Sequence, residues 1–157
     1  MTIRSISIAL LIALSAFGTA VAQTESPKTA INPSHLPDTT QYGFSQANSV
    51  SASARVIYIS GQIGVSEDGP NDFESQVDRS FDNLIAVIEA ADGKVEDVVK
   101  ITLLIKNHND QKLQYLVNKR KSVFGKSPPA STLIPVPALA FESLEFEIDA
   151  ILVTPHQ

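Results

Sequence analysis

The chain has 157 residues, 12 basic and 17 acidic, for a formal charge of −5. That balance argues against general nucleic-acid binding, which relies on clustered Lys and Arg against phosphate. The absence of any cysteine excludes disulfides, thiolate metal sites, cysteine nucleophiles and a lipid-modified cysteine.

The N-terminus has the three parts of a secretory signal: Arg4, an apolar run from Ile6 to Phe17, and the small-residue pattern Ala20-Val21-Ala22. The run is shorter than the ~20 apolar residues a spanning helix needs. Residues 1–22 are therefore expected to be a cleaved signal, and the mature chain to be exported, to a periplasm or to the medium. Cleavage after Ala22 leaves 135 residues, enough for one domain with a real core. Polar residues 23–35, with Pro27 and Pro33, read as a flexible leader. Residues 36–157 read as one domain.

A weak strand is expected over 42–51 and a strong one over 56–60, where both alternating sets are apolar. A Gly- and Pro-containing loop follows. A helix should begin at Asn71 or Asp72, with Asn71 able to cap it and Glu74 reaching back. Its stripe is Phe73, Val77, Phe81, Leu84, Ile85 and Ile88, and Gly93 sits where a left-handed residue would end it. A β-branched strand follows over 98–105. Asn107-His108-Asn109-Asp110 then forms a turn that can cap a second helix, with Leu113, Leu116, Val117, Val123 and Phe124 on its stripe and Gly125 at its end. Two strands close the chain, 131–136 and 144–153. In the last, Leu144, Phe146, Ile148 and Ala150 face one way, and Glu145, Glu147 and Asp149 the other.

The order β-β-α-β-α-β-β predicts an α+β domain, with two helices on one face of a mixed sheet. The other face keeps apolar residues, so a closed oligomer is expected to cover it. His35, His108 and His156 show no metal-ligand spacing. No Ser-His-Asp arrangement, phosphate loop or dinucleotide fingerprint is present, and neither metal nor cofactor is expected.

Several stretches, in this order, resemble the RidA/YjgF-like family of reactive-intermediate deaminases. They are Phe44-Ser45-Gln46-Ala47, Ile59-Ser60-Gly61-Gln62-Ile63, Phe81-Asp82-Asn83-Leu84, Val98-Val99-Lys100, Pro129-Ala130-Ser131-Thr132 and Phe146-Glu147-Ile148-Asp149. The resemblance spans residues 32–155. It implies the chorismate-mutase-like fold, a homotrimer with ligand clefts between subunits, and, in active members, hydrolysis of 2-imino or enamine acids to the keto acid and ammonia. By the same resemblance, Ser60 and Glu147 are the catalytic candidates, Glu147 orienting or activating water. Phe44, Gly61, Asn118, Ser131, Thr132 and Leu133 are the candidates for binding substrate. From strand alternation alone, Glu147 is one of three carboxylates on a polar face.

The chain departs from the family at three places. Ser131 follows the Pro-Ala pair where deaminating members carry the arginine that holds the substrate carboxylate, a task suited to a planar two-pronged cation. Phe44 replaces a tyrosine, and Leu133 a cysteine. Lys119-Arg120-Lys121 reads as a solvated helix face, yet Arg120 alone continues the apolar stripe, which makes it a candidate replacement for the anion contact. The expected function is an imine or enamine hydrolase with altered substrate preference. The alternative is a non-catalytic trimer of the same fold that binds a small ligand or a partner.

Overall fold

The computed structural model describes residues 27–155; the expected signal over 1–22 and His156 lie outside them. Among the described residues the strands are β1 (Lys28–Ile31), β2 (Ala47–Val50), β3 (Arg55–Gln62), β4 (Val98–Lys106), β5 (Ala130–Val136) and β6 (Phe146–Thr154). The helices are α1 (Phe73–Ala90), between β3 and β4, and α2 (Asp110–Phe124), between β4 and β5. Four strands form one sheet in the order β3-β6-β4-β5. β6 runs antiparallel to both its neighbours, and β4 and β5 run parallel. The chain thus forms the α+β fold and mixed sheet its sequence pattern predicts.

The core lies between that sheet and the helices. Val77, Phe81, Leu84 and Ile88 of α1 meet Ile101, Leu103 and Ile105 of β4 and Phe146, Ile148 and Leu152 of β6, all essentially inaccessible to solvent. The Phe146 ring stacks on Phe81 at 6.2 Å and meets Phe73 edge-on at 6.1 Å. The alternation read along the last strand holds, with Leu144, Phe146, Ile148 and Ala150 all buried. Of the stripe expected on α2, Leu116 and Phe124 are buried while Leu113 stays exposed, and Arg120 is buried instead.

Three local expectations are corrected. Asp72, not Asn71, caps α1: its Oδ1 accepts from the Ser75 backbone N–H at 2.9 Å, which also holds its carboxyl below the usual carboxylate range. The Asn71 side chain is engaged in closing the loop before the helix, accepting from the Ser66 N–H and donating to the Ser66 carbonyl. At the other end Asp92, with φ 58°, takes the left-handed position expected of Gly93. The N–H groups of Asp92 and Gly93 close the helix on Glu89 and Ile88, both at 3.0 Å. Gly93 is needed for space, because a Cβ there would lie 2.8 Å from Leu152 Cδ2.

The third correction concerns the leader. Lys28–Ile31 is a strand, paired antiparallel with Ala47–Val50. Its anchor is the Lys28 ammonium, which donates to the carbonyls of Val98 at 2.9 Å and Ser127 at 2.8 Å. Lys28 is only 7% exposed. A lysine at the head of a polar segment reads as solvated, which is why this strand is hard to see in the sequence. The 42–51 strand is shorter than expected because Thr40–Tyr42 makes a 3-10 turn and Gly43 has φ 76°.

Two outcomes test this packing. Gly93→Ala should lose about 1–3 kcal/mol in urea unfolding, the usual range for overpacking a core; unchanged stability would refute the contact with Leu152. Burial pushes the Lys28 amine down from 10.5 to about 8, against the opposing pull of Asp97 and Glu96. Between these values the unfolded chain binds the proton and the folded chain does not. The cost of the buried charge is therefore present below pH 8 and is relieved as pH rises through that window. The stability of the wild type relative to Lys28→Met should increase between pH 7 and 10, and a flat difference would contradict it.

Candidate functional site

The candidate residues fall into two groups on opposite faces of the sheet. The first group is built on β3 and β6. Ile59 pairs with Ala150 and Gln62 with Ile148, so Ser60 and Gly61 together stand opposite Asp149 in a β-bulge. Such an extra residue bends a strand and re-aims its neighbours. Glu147 pairs across the ladder with Leu104, which alternates with the buried Leu103 and Ile105. Its side chain therefore lies on the face away from the helices. There the carboxylate rests directly over Gly61, where an added Cβ would sit 1.8 Å from Oε1. Only a glycine permits that approach. Glu147 is half-buried, and no hydrogen bond or ion pair engages its carboxylate among the described residues. Ser60 is exposed, and its carbonyl accepts from Gln62 Nε2 at 3.0 Å.

The second group is built on β5, α2 and the segment before β2. Ser131 pairs with Ile101, a core residue, so its hydroxyl points to the helix side. Arg120 reaches it from α2, with Nη1 3.2 Å from Ser131 Oγ. The guanidinium lies over the Phe44 ring, 5.5 Å from its centroid. Gly43 makes the approach possible, since a Cβ there would meet Arg120 Cβ at 2.9 Å. Arg120 is 4% exposed, and burial lowers its pKa from 12.5 to about 10, so it stays cationic at neutral pH. None of the ion pairs among the described residues involves it, and its Nε is buried without a partner.

Ser45, from the Phe44-Ser45-Gln46-Ala47 stretch, holds this group together. Its N–H donates to the Pro129 carbonyl and its hydroxyl to the Pro128 carbonyl, both at 2.9 Å. Phe44 is thereby fixed beside the start of β5. Leu133 packs on the core while its backbone runs along β5, the edge strand of the four-stranded sheet.

Two candidates stand apart. Asn118 lies on the exposed side of α2, bonded to Gln114 at 3.1 Å, and two residues along a helix place it about 200° from Arg120. Thr132 pairs with Thr102 on the uncovered face, where its hydroxyl accepts from Lys100. Burial lowers the Lys100 pKa, partly offset by Asp149. Lys100 belongs to the Val98-Val99-Lys100 stretch of the resemblance, but nothing in one strand alone signals the partner it finds on the next. Among the described residues no cluster of His, Asp or Glu could hold a metal ion, and no helix is long and apolar enough to cross a membrane.

The profile of one family, described as endoribonuclease L-PSP, matches residues 37–154. The chain belongs to that family, the RidA/YjgF proteins. The RutC family protein UK114 of Drosophila melanogaster is 36% identical over 64% of this chain and 73% of its own. A protein of Dermatophagoides farinae named 2-iminobutanoate/2-iminopropanoate deaminase is 35% identical over 70% of this chain and 84% of its own. Among solved structures, the Rid-family protein YyfB of Yersinia pestis superposes with a TM-score of 0.76 at 28% identity, covering 82% of this chain and 99% of that one.

The contact between Gly61 and Glu147 is testable on its own. Gly61→Ala should leave the fold and melting temperature nearly unchanged, because the clashing atom is the free end of a side chain. A crystal structure of the variant should show the Glu147 carboxylate swung off the bulge; finding it unmoved would contradict the packing described.

Proposed function

We propose that this RidA/YjgF-family protein hydrolyses small imines or enamines, with a substrate preference different from that of its deaminating relatives, and that it works as a homotrimer. The observation that carries the reading is the unpartnered Glu147 carboxylate, held over Gly61 at the β-bulge beside Ser60. A carboxylate with no internal partner is free to accept a proton from water. In the proposed reaction Glu147 takes that proton as the water oxygen bonds to the C=N carbon and the nitrogen picks up the lone pair. The protonated Glu147 returns its proton to the amine nitrogen. The carbinolamine then collapses: its hydroxyl proton passes to the nitrogen, the C–N bond breaks and the C=O bond forms, releasing ammonia.

The positions of the two groups support self-association. Gly61 is on β3 and Ser131 on β5, at opposite edges of the sheet, about 14 Å apart at ~4.8 Å per strand. They also face opposite sides. A substrate of a few atoms cannot touch both within one chain, whereas it could between the β5 edge of one copy and the β3 edge of another. The apolar residues on the uncovered face, Tyr58 (79% exposed), Val56 (45%) and Ile134 (40%), would be covered in the same assembly. We further place the mature protein outside the cytoplasm, on the strength of Arg4, the apolar run and Ala20-Val21-Ala22.

Ser131, where deaminating members carry arginine, favours a second reading: a trimer that binds a small ligand without turning it over. The two readings part in one assay. The purified mature chain should release ammonia from 2-iminopropanoate generated in situ, or from a neutral imine of the same size. Glu147→Gln should lower that rate by about 10²–10⁴-fold, the usual weight of a general base. A rate equal to the buffer background on both substrates would leave only the binding reading. Light scattering should return three times the chain mass, and a monomer that is nevertheless active would sink the composite site.

A further inference from the structure

We propose that Lys28 is a positioning residue of the candidate site, and that the ribbon of β1 and β2 sets where Phe44 and the start of β5 stand. The proposal rests on the reading above for what that site does. The coupling itself comes from the packing.

Two prolines create the need for it. The parallel ladder of β4 and β5 begins with Lys100 opposite Ala130. Before that pair stand Val98 and Val99 on one side and Pro128 and Pro129 on the other. Proline has no N–H, so this end of the strand pair lacks its usual donors. A buried carbonyl left without a donor is costly, and Val98 is inaccessible to solvent. Both valine carbonyls are met by side chains of the ribbon instead. Lys28 Nζ, from β1, donates to Val98 at 2.9 Å, and Asn48 Nδ2, from β2, donates to Val99 at 2.9 Å.

Lys28 also ties the other chain. An ammonium has three donors, and a second one goes to the Ser127 carbonyl at 2.8 Å. The next two carbonyls, of Pro128 and Pro129, receive the hydroxyl and the N–H of Ser45, both at 2.9 Å. Three successive carbonyls ahead of β5 are thus gripped by the ribbon and the residues leading into it. Ser45 then bridges Ala130 in parallel. Phe44 precedes Ser45 and Ser131 follows Ala130, so each is one residue from a gripped position. A side chain that only filled space would not need a charge, whose burial is unfavourable. Lys28 is 7% exposed, and Asp97 and Glu96 offset part of that burial. Bridging two carbonyls on two chains does call for a long stem with several donors. Glu147 and Gly61 lie on β6 and β3, away from the β5 edge. Lys28 therefore acts on the binding group and not on the carboxylate.

The chain has no cysteine, so Lys28→Cys introduces a single thiol. Alkylation with 2-bromoethylamine in denaturant, followed by refolding, restores an ammonium at nearly the length of lysine. Amide hydrogen exchange on the wild type, on Lys28→Cys and on the aminoethylated protein reads the coupling without any ligand. In Lys28→Cys the Ser45 amide should exchange about tenfold faster, the weight of one lost hydrogen bond, while Val77 and Leu84 of α1 keep their rates. Aminoethylation should restore slow exchange at Ser45. An unchanged Ser45 rate overturns the proposal, as does equal loosening of α1, which would mark a merely structural lysine, or a failure of aminoethylation to restore it. Should Lys28→Cys fold poorly, Asn48→Ala removes the other strut; it should also speed exchange at Ser45, and no effect there overturns the part given to the ribbon. In the imine assay Lys28→Cys should raise KM and leave kcat nearly unchanged; a loss confined to kcat counts against the proposal. A wild type that hydrolyses neither imine would fault the hydrolase reading alone, since the exchange measurement needs no substrate.

Discussion

Two helices can cover one face of a four-stranded sheet and no more, and most of this molecule follows from that limit. α1 and α2 bury the inner residues of β4 and β6, so the alternation along β6 divides Phe146 to Leu152 into a core set and an outer set, and it breaks only at Val153, which is buried as well. The outer set carries Glu147 and Asp149; the inner side carries Ser131 and its partner Arg120. A strand period of two therefore sorts the candidate residues by face before any tertiary contact is considered. The order β3-β6-β4-β5 then sorts them by edge. The division of the site into two groups is a property of the topology, not of any single residue.

The elements with a strong period were legible in the sequence. β4, α1 and β6 came out within a few residues, because their apolar positions repeat at the spacing their structure requires. What escaped was fixed by single polar contacts. β1 depends on one lysine reaching two carbonyls across more than 60 residues of chain, and no local pattern announces such a bond. The caps of α1 were misplaced by one residue at each end, since Asn71 and Asp72, or Asp92 and Gly93, are nearly equivalent in local preference. Their tertiary duties decide: Asn71 closes a loop, and Gly93 makes room for Leu152.

The candidate site was legible in part. Gly61 and Glu147 were singled out by resemblance, and the structure supplies the reason they go together, which is that one leaves space for the other. Arg120 was visible as a charged residue continuing an apolar stripe, a conflict between residue type and pattern. Such conflicts tend to gather at functional sites. Asn118, taken from the same helix, shows the limit of matching by motif, since the helix turns it away from Arg120. Gly43, Ser45 and Lys100 act through neighbours distant in sequence, and only the folded chain reveals those contacts.

One consequence concerns the short turn before α2. Asn109 caps that helix by accepting from the Lys112 N–H at 2.9 Å, and so fixes the residue at which the helix starts. Each residue added or removed between that cap and Arg120 would turn the guanidinium by about 100° around the axis, carrying it from Ser131 toward solvent. The distance from cap to arginine thus behaves as a phase setting. Substitutions along the outer side of α2 can be tolerated freely, whereas a single insertion there would uncouple the charge from the sheet while leaving a well-formed helix.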